Sequence, residues 1–209
     1  MVRLHPRQPD PQAAGAQAAG QARGAGLRIL VLGGTRSGKS GYAEALLPAD
    51  APVRYAATAR RLPDDLEWEA RIARHAARRP ACWTTVEDPD LVAELTRGGP
   101  LLVDDLATWL TGVLDDCEAW EAPTTPPGVE DAVATLVEAV RRAPGDAPCV
   151  LVSAEVGLGV VPATRAGRLF RDELGALNAA LAEVCDEVVL LVAGLPLHLK
   201  TPGADDGRV

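Results

Sequence analysis

The stretch Gly33-Gly34-Thr35-Arg36-Ser37-Gly38-Lys39-Ser40 has the spacing of a phosphate-binding loop: a glycine, four residues, then Gly-Lys-Ser. It follows the apolar run Ile29-Leu30-Val31-Leu32 and leads into a helical pattern from Tyr42 to Leu47. Strand, loop and helix in that order are the context the motif requires. Small residues let consecutive backbone N–H groups curl around a polyphosphate, and the helix that follows points its positive end at it. In that arrangement Lys39 neutralises the β- and γ-phosphates, and the Ser40 hydroxyl ligates Mg²⁺.

Outward from the loop, strand-like and helix-like patterns alternate. Strands are expected at 28–32, 53–58, 101–105, 149–153 and 188–193, most of them nearly continuous apolar runs suited to a sheet covered on both faces. Helices are expected at 39–47, 65–79, 89–97, 106–115, 129–143 and 163–185, with a Pro/Gly-rich loop at 121–128. In the last helix Leu169, Leu174, Leu177, Leu181 and Val184 can line one face. The sum is an α/β chain with a three-layer P-loop NTPase fold, its mostly parallel central sheet flanked by helices on both faces.

Composition sets limits around that fold. The chain has 209 residues, enough for one domain with a substantial core. Its formal net charge of −8 argues against general nucleic-acid binding, which needs a basic footprint, but not against a locally positive phosphate loop. Cys82, Cys117, Cys149 and Cys185 form no C-x-x-C pair, so zinc and dithiol chemistry have little support and a cytoplasmic location is the simplest reading. No apolar run approaches a membrane span. Residues 1–26 are low-complexity and rich in Ala, Gly, Gln and Pro, and are expected to be disordered; 27–200 form the domain, and 201–209 read as a flexible tail.

A phosphate loop needs an acidic partner for its metal. Asp104 is the best candidate, because an apolar strand ending in Asp places a carboxylate at the carboxyl edge of the sheet. Asp105 competes with it; the strand pattern points it the other way, and a helix cap near Leu106 is the plain alternative. The segment 64–79 gathers acids at its start and arginines at its end, as the helix dipole favours. Four-residue spacing puts Arg71, His75 and Arg79 on one face. A neutral imidazole there suits attack on a nucleotide α-phosphate, but by spacing alone a single helical histidine reads first as a surface residue.

Five stretches, "ILVLGGTRSGKSGYAEALL", "YAATA", "RIARHAARRPACWTTVE", "LLVDDLATWLTGVL" and "VLVSAEVGLGVVPATRAGRLFRDELGALNAALAEVCDEVVLLVAGLPL", resemble a known family in its own order. The family is the bifunctional adenosylcobinamide kinase / adenosylcobinamide-phosphate guanylyltransferase of cobalamin biosynthesis. The resemblance implies phosphorylation of adenosylcobinamide by ATP or GTP, then transfer of GMP from GTP through a covalent GMP-histidine to adenosylcobinamide phosphate. It places the nucleophile on His75. It places nucleotide contacts on the loop from Gly33 to Ser40, on Ala57, Thr58 and Ala59, on Ala76, Ala77, Arg78 and Arg79, and on Glu87 and Asp104. Whether Glu87 and Asp104 serve base, ribose or metal is left open by the sequence. The corrinoid is the implied partner, Mg²⁺ the implied cofactor, and a homo-oligomer, a trimer, the implied assembly.

Two departures stand out. Asp105-Leu106-Ala107 replaces the family's frequent Cys-Leu-Thr after the acid, and Ala154 replaces the usual Asn before Glu155. A P-loop kinase without guanylyl transfer, and a non-catalytic nucleotide switch, are the competing readings. Glu155, with Gly157 and Gly159 beyond it, is a candidate for orienting the acceptor, and Arg168 and Arg171 for phosphate contacts; local turns and surface ion pairs are their plain alternatives.

Overall fold

The computed structural model describes residues 26–60 and 79–203. Within them, seven strands form one sheet: β1 (Arg28–Gly33), β2 (Arg54–Ala57), β3 (Thr84–Glu87), β4 (Leu101–Asp104), β5 (Cys149–Ala154), β6 (Glu187–Val192) and β7 (Leu195–Lys200). The described helices are α1 (Lys39–Ala45), α2 (Leu91–Thr96), α3 (Leu106–Asp116), α4 (Pro127–Arg142) and α5 (Arg165–Val184). The strand order is β3-β2-β4-β5-β1-β6-β7, with every pairing parallel except β6–β7. This is the expected α/β architecture.

Period-two alternation sorts the strand residues between two cores. Leu30, Leu32, Leu101, Val103, Cys149 and Leu151 face α2, α3, α4 and α5. Ile29, Val31, Tyr55, Leu102, Val150 and Val152 face the side of α1, with Ala43, Leu46 and Leu47. Both faces are therefore dry, which is why these strands read as continuous apolar runs. The same parity assigns Asp104 to the side of α1 and Ser153 to the side of α5.

Helix starts follow capping chemistry. Asp90, Asp105 and Thr164 accept from backbone N–H groups of Ala93, Thr108 and Gly167 at the starts of α2, α3 and α5. The helix expected from residue 129 begins earlier, at Pro127, because proline suits a first helical turn that needs no N–H.

Two strands carried no expectation. β3 is a mostly exposed edge strand of Thr, Val and Glu, without an apolar signature. β7 contains Pro196 and is joined to β6 through Ala193 (φ 52°) and Gly194 (φ 81°), a tight hairpin turn with two left-handed residues. Residues 1–25, 61–78 and 204–209 lie outside the described residues, and with them the N-terminal extension, most of the expected 65–79 helix and most of the tail.

At the amino end of the sheet, Arg28 at the start of β1 pairs with Asp186. Arg28 Nε and Nη2 donate to the two Asp186 carboxylate oxygens at 2.9 and 2.8 Å, and Arg28 N donates to Asp186 Oδ2 at 2.8 Å. The guanidinium holds the Asp186 carboxyl below the ordinary carboxylate range. A lowered folded-state pKa gives stability that is complete above the unfolded value and lost as pH falls through the folded one. Asp186→Asn is therefore expected to cost about 1–3 kcal/mol near neutrality, in the range for hydrogen bonds to charged groups. Urea titrations at descending pH should show that gap closing below the carboxylate range.

Candidate active site

The phosphate loop sits where β1 ends. Gly33 lies between β5 and β6, aligned with Ala154 and Leu191. A Cβ on Gly33 would run into Ser37 Oγ and come within 3.1 Å of the Leu191 carbonyl oxygen, so the position admits only glycine without displacement. The loop turns through Arg36 (φ 58°) and Gly38 (φ 90°), and Gly38 accepts from Tyr42 N at 3.0 Å as α1 begins. The β6–β7 turn closes over it: the Gly194 Cα would lie 3.9 Å from a Cβ on Gly38. The Ser37 hydroxyl is buried with no hydrogen-bond partner among the described residues, an orphaned polar atom inside a loop built of polar groups.

Asp104 and Asp105 separate into two jobs. Asp105 caps α3, its Oδ1 accepting from Thr108 N and Oγ1, both at 2.8 Å. Asp104 turns toward α1, where its Oδ1 accepts from Ser40 Oγ at 3.2 Å and its Oδ2 from the Tyr55 hydroxyl. The Tyr55 phenol is pushed far above its ordinary range, first by burial and then by the Asp104 charge, so it remains a donor. Ser40 and Asp104 thus present hard oxygen atoms side by side beneath the loop. Mg²⁺ takes one or two protein oxygens and fills its octahedron with phosphate and water, so this pair fits it.

The carboxyl edge aligns further candidates. Ala57 is in register with Glu87 on one side and Asp104 on the other, so these three residues end adjacent strands at one level. Thr58 is buried, and its hydroxyl donates to the Asp105 carbonyl at 2.6 Å, which leaves no hydroxyl proton for a ligand; Ala59 follows it. Arg79 stacks 3.4 Å above the Tyr55 ring and donates to Thr85 Oγ1 at 2.8 Å. His75, Ala76, Ala77 and Arg78 lie outside the described residues.

Other expected groups are occupied locally. Glu155 Oε1 accepts from Gly157 N at 2.6 Å, and Glu155 N donates to the Gly33 carbonyl, joining this turn to the phosphate loop. Arg168 donates to the Pro162 and Ala163 carbonyls, and Arg171 lies 3.4 Å from Asp172. Cys149 and Cys185 are buried core thiols; burial pushes the Cys149 thiol up to about 12. Cys82 and Cys117 are free as well.

Two features lacked an expectation. Tyr55 carries the hydroxyl that holds Asp104; its signal was a tyrosine inside an apolar strand, since a buried phenol needs a partner. Asn178 sits on the apolar stripe of α5, and its side chain accepts from Ser153 Oγ at 2.6 Å and donates to the Ala154 carbonyl at 3.0 Å. It anchors the end of β5 next to Glu155. Beside the site, a cavity of about 370 Å³ is lined by Arg60, Thr108, Thr111, Gly112 and two of the departing residues, Asp105 and Ala107.

Fold and loop together define a phosphate-loop α/β protein. A solved ATPase from the type III secretion system of pathogenic bacteria shares this architecture at 13% identity and a TM-score of 0.50, covering 81% of this chain and 53% of that one. Residues 29–199 match the family model "Cobinamide kinase / cobinamide phosphate guanyltransferase", and the chain belongs to that family. It is 40% identical to the bifunctional adenosylcobalamin biosynthesis protein CobU of Salmonella typhimurium, over 83% of this chain and 100% of that protein. It is 44% identical to CobP of Pseudomonas aeruginosa, over 83% of this chain and 98% of that one, and 36% identical to CobU of Escherichia coli, over 83% and 100%.

The two loop glycines make a contrasting pair. Gly33→Ala is expected to cost about 1–3 kcal/mol through overpacking against Ser37 and Leu191. Gly34→Ala, whose Cβ meets nothing within 4 Å, should stay within about 0.5 kcal/mol. Urea unfolding of the two variants checks the difference.

Proposed function

We propose that this chain carries out both reactions in its family's description, at one nucleotide site. The observation that carries the reading is the phosphate loop with Ser40 and Asp104 converging beneath it, in a chain whose family match spans residues 29–199. In the first step the aminopropanol hydroxyl of adenosylcobinamide attacks the γ-phosphorus of ATP or GTP; the nucleoside diphosphate leaves and the hydroxyl proton passes to solvent or base. In the second, the His75 imidazole attacks the α-phosphorus of GTP and pyrophosphate departs. A phosphate oxygen of adenosylcobinamide phosphate then takes the GMP from the histidine, giving adenosylcobinamide-GDP and free imidazole. Splitting the transfer this way lets one site serve two acceptors in turn.

The residues divide the work. Loop N–H groups from Gly33 to Ser40 cradle the polyphosphate, and Lys39 neutralises the charge that builds on it. Ser40 and Asp104 would hold Mg²⁺, which when bound neutralises phosphate oxygens. Ala57, Thr58, Ala59 and the 76–79 stretch contact the nucleotide through backbone and guanidinium groups, and Glu87 offers a carboxylate to guanine or ribose. Thr58 contributes through its backbone, since its hydroxyl is engaged with Asp105.

Asp105 and Ala107 line the cavity beside α3, which in this reading is a candidate place for the acceptor. A homo-oligomer, with the family resemblance favouring a trimer, belongs to the same proposal; Val192, Leu195, Leu197 and Leu199 expose apolar surface at the sheet edge that such an assembly could cover. Among the described residues no helix is long and apolar enough to cross a membrane. A cytoplasmic location is proposed from the cysteine pattern.

Incubation with GTP and Mg²⁺ without corrinoid tests the covalent step. Wild-type protein should gain one acid-labile GMP by intact mass, and His75→Ala should gain none. A GMP adduct on His75→Ala would refute the assignment, and no adduct on either chain would favour a kinase without guanylyl transfer. Lys39→Ala should lower both activities by at least about a hundredfold while leaving the melting curve near wild type, as loss of a transition-state charge contact implies.

A further inference from the structure

Tyr55 neither cradles phosphate nor attacks it, yet it touches the site from two directions. It is 1% exposed, on the face of β2 turned toward α1. Its hydroxyl donates to Asp104 Oδ2, while Ser40 Oγ donates to Oδ1. Asp104 ends its strand with one carboxylate oxygen on Ser40, and Tyr55 supplies a second point of attachment on the other. The ring itself is held on the face side by the Arg79 guanidinium at 3.4 Å and by Trp83 at a centroid separation of 6.5 Å. Arg79 in turn is fixed by Thr85, and its buried Nε–H has no acceptor among the described residues.

We propose that Tyr55 is a positioning residue that sets the orientation of the Asp104 carboxylate, so that the acid and Ser40 receive the metal–nucleotide complex together. Its effect passes through Asp104 and not through direct contact with the ligand. Because the aromatic body is packed against Arg79 and Trp83, the phenolic oxygen is held in place before any ligand arrives. The inference rests on the nucleotide-site reading above and adds to it the residue that holds the acid.

The experiment uses the full chain, Mn²⁺ as the metal probe and the non-hydrolysable β,γ-imido analogue of GTP. Tyr55→Phe keeps the ring, its stacking on Arg79 and its contact with Trp83, and removes only the donor. Metal-free affinity for the analogue should be unchanged, while Mn²⁺ affinity of the protein–analogue complex, read by electron paramagnetic resonance, should fall roughly tenfold, as loss of one hydrogen bond to a charged group implies. Adding Tyr55→Phe to Asp104→Asn should then produce no further loss, the non-additivity expected of a residue acting through its neighbour. Para-aminophenylalanine in place of Tyr55 restores a donor on the same ring and should recover Mn²⁺ affinity; it also keeps the test decisive should Tyr55→Phe fold poorly. Unchanged Mn²⁺ affinity in Tyr55→Phe, or an equal loss in the Asp104→Asn background, overturns the role given to Tyr55 and leaves the nucleotide site standing. Failure of the wild-type chain to bind the analogue overturns both.

Discussion

Strand β1 is hydrogen-bonded to parallel neighbours on both sides and buried on both faces, and the rest of the molecule is built around that confinement. A strand so enclosed can turn only at its end, and there the chain has no room for a side chain. Gly33 meets Ser37 from its own loop and the Leu191 carbonyl from the next strand. The absence of a Cβ lets the backbone fold back there, with Ser37 N donating to the Gly34 carbonyl at 3.2 Å. In the proposed reading, the backbone N–H groups of such a loop hold a polyphosphate.

Confinement of β1 also decides where the acid comes from. The neighbouring strand β5 lies between β1 and β4, so Asp104 has to reach past it toward α1. It does so on the α1 face, where Ser40 and Tyr55 receive its two oxygens. Asp105, one residue on, has the opposite parity and a free backbone N–H nearby, and it caps α3. The cap gives a physical reason for a carboxylate at a position where the family often carries cysteine. At the end of β5 the amide absent from Ala154 is not replaced in kind, but the Ala154 carbonyl is held by Asn178 from the far helix.

The elements hardest to read were those whose stabilisation is not apolar periodicity. β3 is an edge strand of Thr84, Thr85, Val86 and Glu87, three of them exposed, and its pairing with β2 is a backbone matter that leaves little trace in residue type. β7 does alternate Leu195, Leu197 and Leu199 with Pro196, His198 and Lys200, but its proline speaks against a strand, and the leucines stay exposed at the sheet edge. The central strands and α5 were legible because each has a dry face dictated by packing on the sheet.

By itself the sequence determined the phosphate loop, since glycine, lysine and serine at that spacing answer to local backbone geometry and charge. It also determined the α/β alternation, because period two and period 3.6 are local consequences of strand and helix geometry. The Ser40 hydroxyl on Asp104, the Tyr55 hydroxyl on the same acid and the Asn178 bridge to β5 were decided only in the tertiary structure. Each joins residues between 24 and 64 positions apart in the chain. Strand parity and the helix start at Leu106 separate the two adjacent carboxylates locally, but what each oxygen of Asp104 meets depends on elements brought in from elsewhere in the chain.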